Sequence, residues 1–270
     1  YDSAATMIQM LSRCTANGGN YLLCVGPTAD GRIPVIMQQR LLEIGRWLKV
    51  HGEAIYGATA SPFWPRQFEW GQISARPGKL YLHVFDPNTS QIELTGLRNR
   101  VSSASVLEHA AQSDLKWTQN GSWLTLQWPS HLNNEAVTVI ALDIEGEPDV
   151  DTTQHQFGEG LLRLPCRALD IHGMKARVYY RGHGPRVRIV DWTDPDEYVS
   201  GTFDLSFPGD YMLQLTYAAS PPTAQSRFEV DVNGRRLEHA TVSTGGDERF
   251  QTFEVGRARF DEPGRYTVTL

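Results

Sequence analysis

Cysteine is scarce: three in 270 residues, Cys14, Cys24 and Cys166. An odd number at wide spacing gives neither a disulfide framework nor the paired spacing of a zinc site, so no metal is expected. Cys14 on a helix face and Cys24 in an apolar run suit small apolar packing instead. Long apolar runs are also missing. No stretch reaches the roughly 20 apolar residues of a membrane-spanning helix, and no membrane partner is expected. Nor is positive charge in excess, since 25 Lys and Arg stand against 31 Asp and Glu for a net charge of −6. Nucleic acids and anionic membrane surfaces recruit proteins through basic patches, so the balance argues against both. The chain opens on Tyr1 without an initiator Met, and its last residues sit inside a strand-like run. It is therefore expected to be a piece of a longer polypeptide, for which a missing targeting signal carries no information.

What is present is organised around Gly18 to Pro34. The apolar run Tyr21-Leu22-Leu23-Cys24-Val25 lies between Gly18-Gly19-Asn20 and Gly26-Pro27, with the Asp30-Gly31 turn signal beyond. Near-continuous apolar character over so few residues predicts a strand buried on both faces, as in a parallel sheet. Helical patterns flank it. Over 3–16, Ser3 is a candidate N-cap, Ala4, Met7, Ile8 and Leu11 recur at helical spacing, and Asn17-Gly18-Gly19 supplies the stop. A second helix is predicted from Pro34 to about Val50, with Met37, Leu41, Ile44 and Leu48 as its buried stripe and Glu43 solvated. Helix, buried strand, loop, helix is the repeating unit of an α/β barrel.

The same residues resemble a known family. Gly18 to Gly31 is similar to the "G-[GN]-N-[YL]-L-L-N-[IV]-G-P-x-x-D-G" signature of α-L-fucosidases, the family 29 glycoside hydrolases. Leu41 to Leu48 followed by Gly52-Glu53-Ala54-Ile55-Tyr56-Gly57 resembles that family's "L-x-x-[IL]-G-x-W-L-x-x-N-G-E-A-I-Y-G-T". Cys24 and His51 depart from it, each standing where the family usually has Asn. The resemblance implies that residues 1–57 are the end of a catalytic (β/α)8 barrel: helix, last strand, last helix. It implies a retaining exo-glycosidase acting on fucosylated glycans without a cofactor, secreted or periplasmic. It also implies that the nucleophilic Asp and the acid/base Glu lie upstream of residue 1. No catalytic residue is then assigned within the chain, and the missing barrel portion of the same polypeptide is its expected partner.

From Ala58 onward the pattern changes to short alternating strands, expected at 79–85, 91–94, 102–107, 124–128 and 137–142 and punctuated by Asp86-Pro87-Asn88, Gln119-Asn120-Gly121 and Glu145-Gly146. This predicts an antiparallel β-sandwich over 58–150. Leu94-Thr95-Gly96-Leu97-Arg98-Asn99 resembles the "L-P-G-L-K-N" of the fucosidase C-terminal sandwich. A second all-β region over 151–270 has strand-like runs at 176–180, 187–192, 197–205, 210–217, 227–232, 250–260 and 265–270. Glu197-Tyr198-Val199, Gly209-Asp210-Tyr211-Met212-Leu213 and Phe228 to Gly234 resemble jelly-roll carbohydrate-binding modules, which makes this region a truncated module of that kind. The expected fold class is thus α/β plus all-β.

Several side chains could carry chemistry, each beside a plainer role. Asp30 follows the predicted strand, on the side where barrel active sites form, yet Asp-Gly equally makes a turn. His51 and Glu53 could be metal ligands, but a His at a helix end can satisfy free carbonyls. His83 fits a satisfied core or edge histidine, and Trp64 and Trp70 fit packing better than sugar contact. The densest cluster is Asp191 to Tyr198. Trp192 and Tyr198 could stack on sugar rings while Asp194 and Asp196 fix hydroxyls, or the acids could hold calcium. The alternative is a capped turn before a strand, with Trp192 and Tyr198 in the core. A non-catalytic carbohydrate-binding or scaffold protein that keeps only a fucosidase tail is the rival function.

Overall fold

A computed structural model describes residues 1–64, 66, 68, 70–109, 115–156, 160–180, 187–221 and 225–270. These residues are mostly β-strand, with two α-helices, and divide into two units, Tyr1–Thr152 and Thr153–Leu270.

In the first unit, α1 (Ala4–Ala16) starts where expected. Ser3 caps it, its hydroxyl accepting the Thr6 N–H at 3.1 Å. It ends in a Schellman arrangement: Gly18 takes φ +70°, Gly19 N–H donates to Cys14 O at 2.8 Å, and Gly18 N–H donates to Thr15 O at 3.0 Å. The second helix, α2 (Val35–His51), buries Ile44, Trp47 and His51. The predicted stripe holds at Ile44 and, half-buried against the same core, at Leu48, but Leu41 is exposed and Met37 only half-buried. The buried face is set by the sheet below α2, against which Ile44 and Trp47 pack with Tyr81, Val137 and Val139. Glu43 is likewise not simply solvated; it pairs with Arg40 at 2.8 Å.

The segment between the helices differs most from expectation. Residues 19–28 form no strand, and Leu22 is 85% exposed. A strand needs a neighbour to take its backbone hydrogen bonds, and no described strand pairs with this run. Apolar side chains of the first fifty residues lie exposed: Leu22, Val25, Ile33, Val35, Leu41, Leu42 and Val50.

Seven strands complete the described part of this unit: β1 (Gly71–Arg76), β2 (Lys79–Val84), β3 (Gln91–Thr95), β4 (Val101–Val106), β5 (Lys116–Asn120), β6 (Trp123–Gln127) and β7 (Thr138–Ile144). One sheet runs β1-β2-β7-β4 and another β3-β6-β5, antiparallel throughout. Leu80, Leu82, Ile140 and Leu142 from the first meet Ile92, Leu94, Leu124 and Leu126 from the second in one core. Tyr81, Val139 and Ala141, alternating with them, face α1 and α2. Burial on both faces explains why β2 and β7 are almost continuously apolar. β1 and β5 were not expected; small and polar residues dilute their alternation.

The second unit holds ten strands among its described residues: β8 (Gln154–His155), β9 (Asp170–His172), β10 (Arg177–Tyr180), β11 (Val187–Val190), β12 (Tyr198–Leu205), β13 (Gly209–Tyr217), β14 (Arg227–Val232), β15 (Arg235–Ala240), β16 (Gln251–Phe260) and β17 (Gly264–Thr269). The largest sheet runs β15-β14-β17-β12-β8, with β9 also on β12; β13 pairs β16 and β10 pairs β11. Its core gathers Phe203, Leu205, Val232, Ala258 and Phe260, with Tyr211 and Tyr266 at the margin. Asn233 and Gly234, at φ +52° and +72°, form the two-residue turn that joins β14 to β15.

Candidate functional site

The Asp191 to Tyr198 cluster is the loop between β11 and β12 together with the first residue of β12. Asp191 adopts φ +59°, and its carboxylate accepts from Arg177 Nε at 2.7 Å. Asp194 accepts from Lys175 Nζ at 3.0 Å and from the Asp196 backbone N–H at 3.2 Å. The lysine hydrogen bond holds the Asp194 carboxyl below the usual range.

Glu197, not singled out from sequence, anchors the loop. Its carboxylate accepts backbone N–H bonds from Met174 and Lys175 at 2.6 Å each and from Ala176 at 3.0 Å. These donors, the Lys175 N–H foremost, lower its pKa. Gly173 is what lets it in, because a Cβ there would stand 2.4 Å from Glu197 Cγ. A glycine some two dozen residues before a Glu is the one sequence trace of this arrangement, and it has no distinctive spacing.

The two aromatics are not core residues, contrary to the plainer expectation. Trp192 is 36% exposed and donates its indole N–H to Glu197 O at 3.0 Å; Tyr198 is 44% exposed. Tyr198 stacks on His172, with ring centroids 4.2 Å apart and planes 12° from parallel, and His172 Nε2 lies 2.8 Å from Ser200 Oγ. They stay outside because β12 turns Val199 and Phe203 inward, which leaves Tyr198, Ser200 and Thr202 on its open face. Asp194 and Asp196 are brought together by a backbone turn rather than by convergent carboxylates. With Asp191, Asp194 and Glu197 each holding a cation or backbone N–H groups, the geometry does not gather them as calcium ligands.

The remaining candidates resolve simply. Asp30 closes a turn, hydrogen-bonded by Thr28 Oγ1 and paired with Arg32 at 2.6 Å. The Thr28 hydrogen bond lowers its pKa. His51 places Nδ1 3.0 Å from Trp47 O and stacks on the Trp47 ring, the carbonyl-satisfying role. His83 is fully buried, with Nε2 2.9 Å from Ser74 Oγ. Cys24 is exposed rather than packed, because the run that holds it forms no strand; all three cysteines are free. Trp70 packs against Phe68 at 4.9 Å, while Trp64 is 46% exposed.

Comparison with known proteins places these observations. A family model described as Alpha-L-fucosidase matches residues 1–53. Tissue α-L-fucosidase of Bos taurus is 38% identical over 120 residues, 44% of this chain and 25% of that protein. α-L-Fucosidase of Branchiostoma floridae is 33% identical over 135 residues, 48% of this chain and 29% of that protein. The crystal structure of α-L-fucosidase from Vibrio sp. strain EJY3 superimposes with a TM-score of 0.75 at 24% sequence identity. That match covers 99% of this chain and 46% of the other, and it establishes likeness of fold. The relatives define a class, the glycoside hydrolases. Within it, what this chain is similar to is a C-terminal part of an α-L-fucosidase, and it spans 25% and 29% of the length of the two curated relatives just named.

Proposed function

We propose that the chain is the C-terminal part of a retaining exo-α-L-fucosidase that releases terminal α-L-fucosyl units from glycans. The observation that carries this reading is the family match over residues 1–53, which contains the Gly18–Gly31 motif. In this reading residues 1–57 are the closing helix, strand and helix of a (β/α)8 barrel. Tyr21 to Val25 then joins a sheet whose other strands lie upstream, and the exposed Leu22 and Leu42 face that missing portion. Residues 58–150 form a β-sandwich beside the barrel, and 151–270 a jelly-roll module of carbohydrate-binding type.

Retaining hydrolysis needs a nucleophilic and an acid/base carboxyl about 5–5.5 Å apart. The carboxylates of residues 1–57 are Asp2, Asp30, Glu43 and Glu53. Asp30 is held by Thr28 and Arg32, and Glu43 by Arg40. That supports the placement of both reacting groups upstream. In the last region Trp192, Asp194, Asp196 and Tyr198 remain the proposed sugar contacts. Tyr198 on its His172 partner and the half-exposed Trp192 supply apolar ring surface there.

The test is an assay of the longer polypeptide encoded by the same gene on 4-nitrophenyl α-L-fucoside, with the anomer first released read by proton NMR. Release of the α-anomer is expected. No release of fucose, or release of the β-anomer, would overturn the reading.

A further inference from the structure

The first unit has a cleft that neither the family match nor the proposed chemistry uses. It opens where the edge strands of the two sheets, β4 and β5, come alongside each other. Its volume is about 500 Å³, and Arg98, Arg100, Ser102, Trp117, Gln119 and Glu145 line it. The cleft is open to solvent and its lining is more polar than apolar.

Three features make this a built surface rather than a gap. First, Gln119 stitches the two edges together: its Oε1 accepts the Val101 N–H at 3.0 Å and its Nε2 donates to Asn99 O at 2.8 Å. This fixes one wall. Second, the β4–β7 ladder slips between Val101 and Ser103, which makes Ser102 the extra residue of a β-bulge. Bulges re-aim side chains at sheet edges, and this one sets Ser102 on the cleft, where its hydroxyl donates to Asp143 O at 3.2 Å and keeps its lone pairs to accept from a ligand hydroxyl. Third, Trp117 is only half-buried although it packs against the core, so part of its indole borders the cleft.

The charges select the ligand class. Arg98 pairs with Asp149 at 3.2 Å and Asp151 at 3.4 Å, and Arg100 with Glu145 at 3.3 Å. Two guanidiniums are thus matched by three carboxylates, and among the described lining residues no surplus positive charge remains to draw an anion. What remains is planar donors, a carboxylate acceptor and a hydroxyl around an indole. That set suits a neutral, polyhydroxylated ring with one apolar face.

We propose that the cleft between β4 and β5 binds a neutral pyranoside, stacked on Trp117 and hydrogen-bonded by Arg100, Ser102 and Glu145. The proposal goes beyond the fucosidase reading and does not depend on hydrolysis, so the two can fail separately.

The experiment follows the indole N–H resonances of the ¹⁵N-labelled 270-residue chain. The probes are methyl α-L-fucoside, methyl β-D-galactoside and N-acetylglucosamine, each titrated to about 50 mM because lone monosaccharide contacts bind at roughly millimolar Kd. Sodium glucuronate and glycerol serve as the charged and the non-ring control. The Trp117 resonance, assigned from its loss in Trp117→Phe, is expected to shift saturably with at least one neutral sugar. Arg100→Ala and Glu145→Gln, both exposed positions, are expected to weaken that binding by about fivefold or more, and Trp117→Ala to abolish it. If Trp117→Ala fails to fold, the two exposed variants decide alone. The proposal is overturned if no neutral sugar moves the Trp117 signal, if only glucuronate does, if glycerol moves it equally, or if binding survives undiminished in both exposed variants.

Discussion

Glu197 shows what a single residue does here. Its carboxylate gathers three consecutive backbone N–H groups across from a glycine that has no room for a methyl group. Gly173→Ala must push Glu197 out of that seat and leave those N–H groups to water. The expected result is a lower Tm together with displaced amide resonances at Met174, Lys175 and Ala176. Unchanged amide positions would show that the carboxylate does not hold this turn. Little of this was legible beforehand. Trp192, Asp194, Asp196 and Tyr198 stand out as residue types, whereas Glu197 gains its role from the turn between β9 and β10, far from it in sequence. Tyr198 could not be placed from sequence either. Its exposure depends on which face of β12 the unit's core takes, and alternation alone leaves that choice open.

At the scale of elements, two buried histidines couple the helices to the sheet. His83 on β2 is fully buried next to Ser74, and Ser74 Oγ lies 2.9 Å from both Ala54 O and His83 Nε2. The hydroxyl proton goes to the carbonyl, so His83 Nε2 donates and its Nδ1 is an acceptor without a partner among the described residues. His51, at the end of α2, donates Nδ1–H to Trp47 O, and Nε2 has no partner among the described residues. Both rings are therefore neutral. Burial first, then the neighbouring His51, pushes His83 down to about 3, and burial lowers His51 against weaker support from the Trp47 carbonyl and Glu108.

Folded pKa values below the unfolded value of about 6.5 mean that stability is complete above that pH. It is lost as pH falls from there towards about 3, since the unfolded chain takes up protons that the folded one refuses. Denaturant titrations of the first unit are expected to be flat from neutral pH down to about 6.5 and to fall steadily below it. His83→Phe is expected to reduce the slope near pH 5.5 by about one proton. An unchanged slope would contradict the assignment.

The helices themselves were legible, because Ser3, Gly18, Gly19 and Pro34 are local signals. The strand over Tyr21 to Val25 was not realised, because a buried strand is a property of its neighbours. The strands 79–84 and 138–144 were legible from their apolar runs, and β1, β5 and β15 were missed where Gly, Ser, Arg or Lys interrupts the pattern.

At the scale of the whole molecule, sequence and structure together separate what the chain has from what its proposed function needs. It has two well-packed β-rich units and an apolar surface on residues 1–57 with little cover. In the proposed reading these side chains are covered by the upstream part of the barrel. Leu22→Ser and Leu42→Gln are expected to reduce binding of a hydrophobic dye while leaving Tm within about 1 °C, as surface changes away from the core do. A large fall in Tm would instead place those side chains in this chain's own core. Similarity to α-L-fucosidases was the most legible property of all. It rests on contiguous motifs, which stand out even though the chain spans about a quarter of the length of the relatives it matches.

The most direct test of the account is turnover of 4-nitrophenyl α-L-fucoside by the 270-residue chain alone, beside the longer polypeptide of the same gene. The account predicts no release above the buffer blank from the chain and clear release from the longer protein. Sustained hydrolysis by the chain alone would contradict it, because the nucleophile and the acid/base would then have to lie among the residues described above.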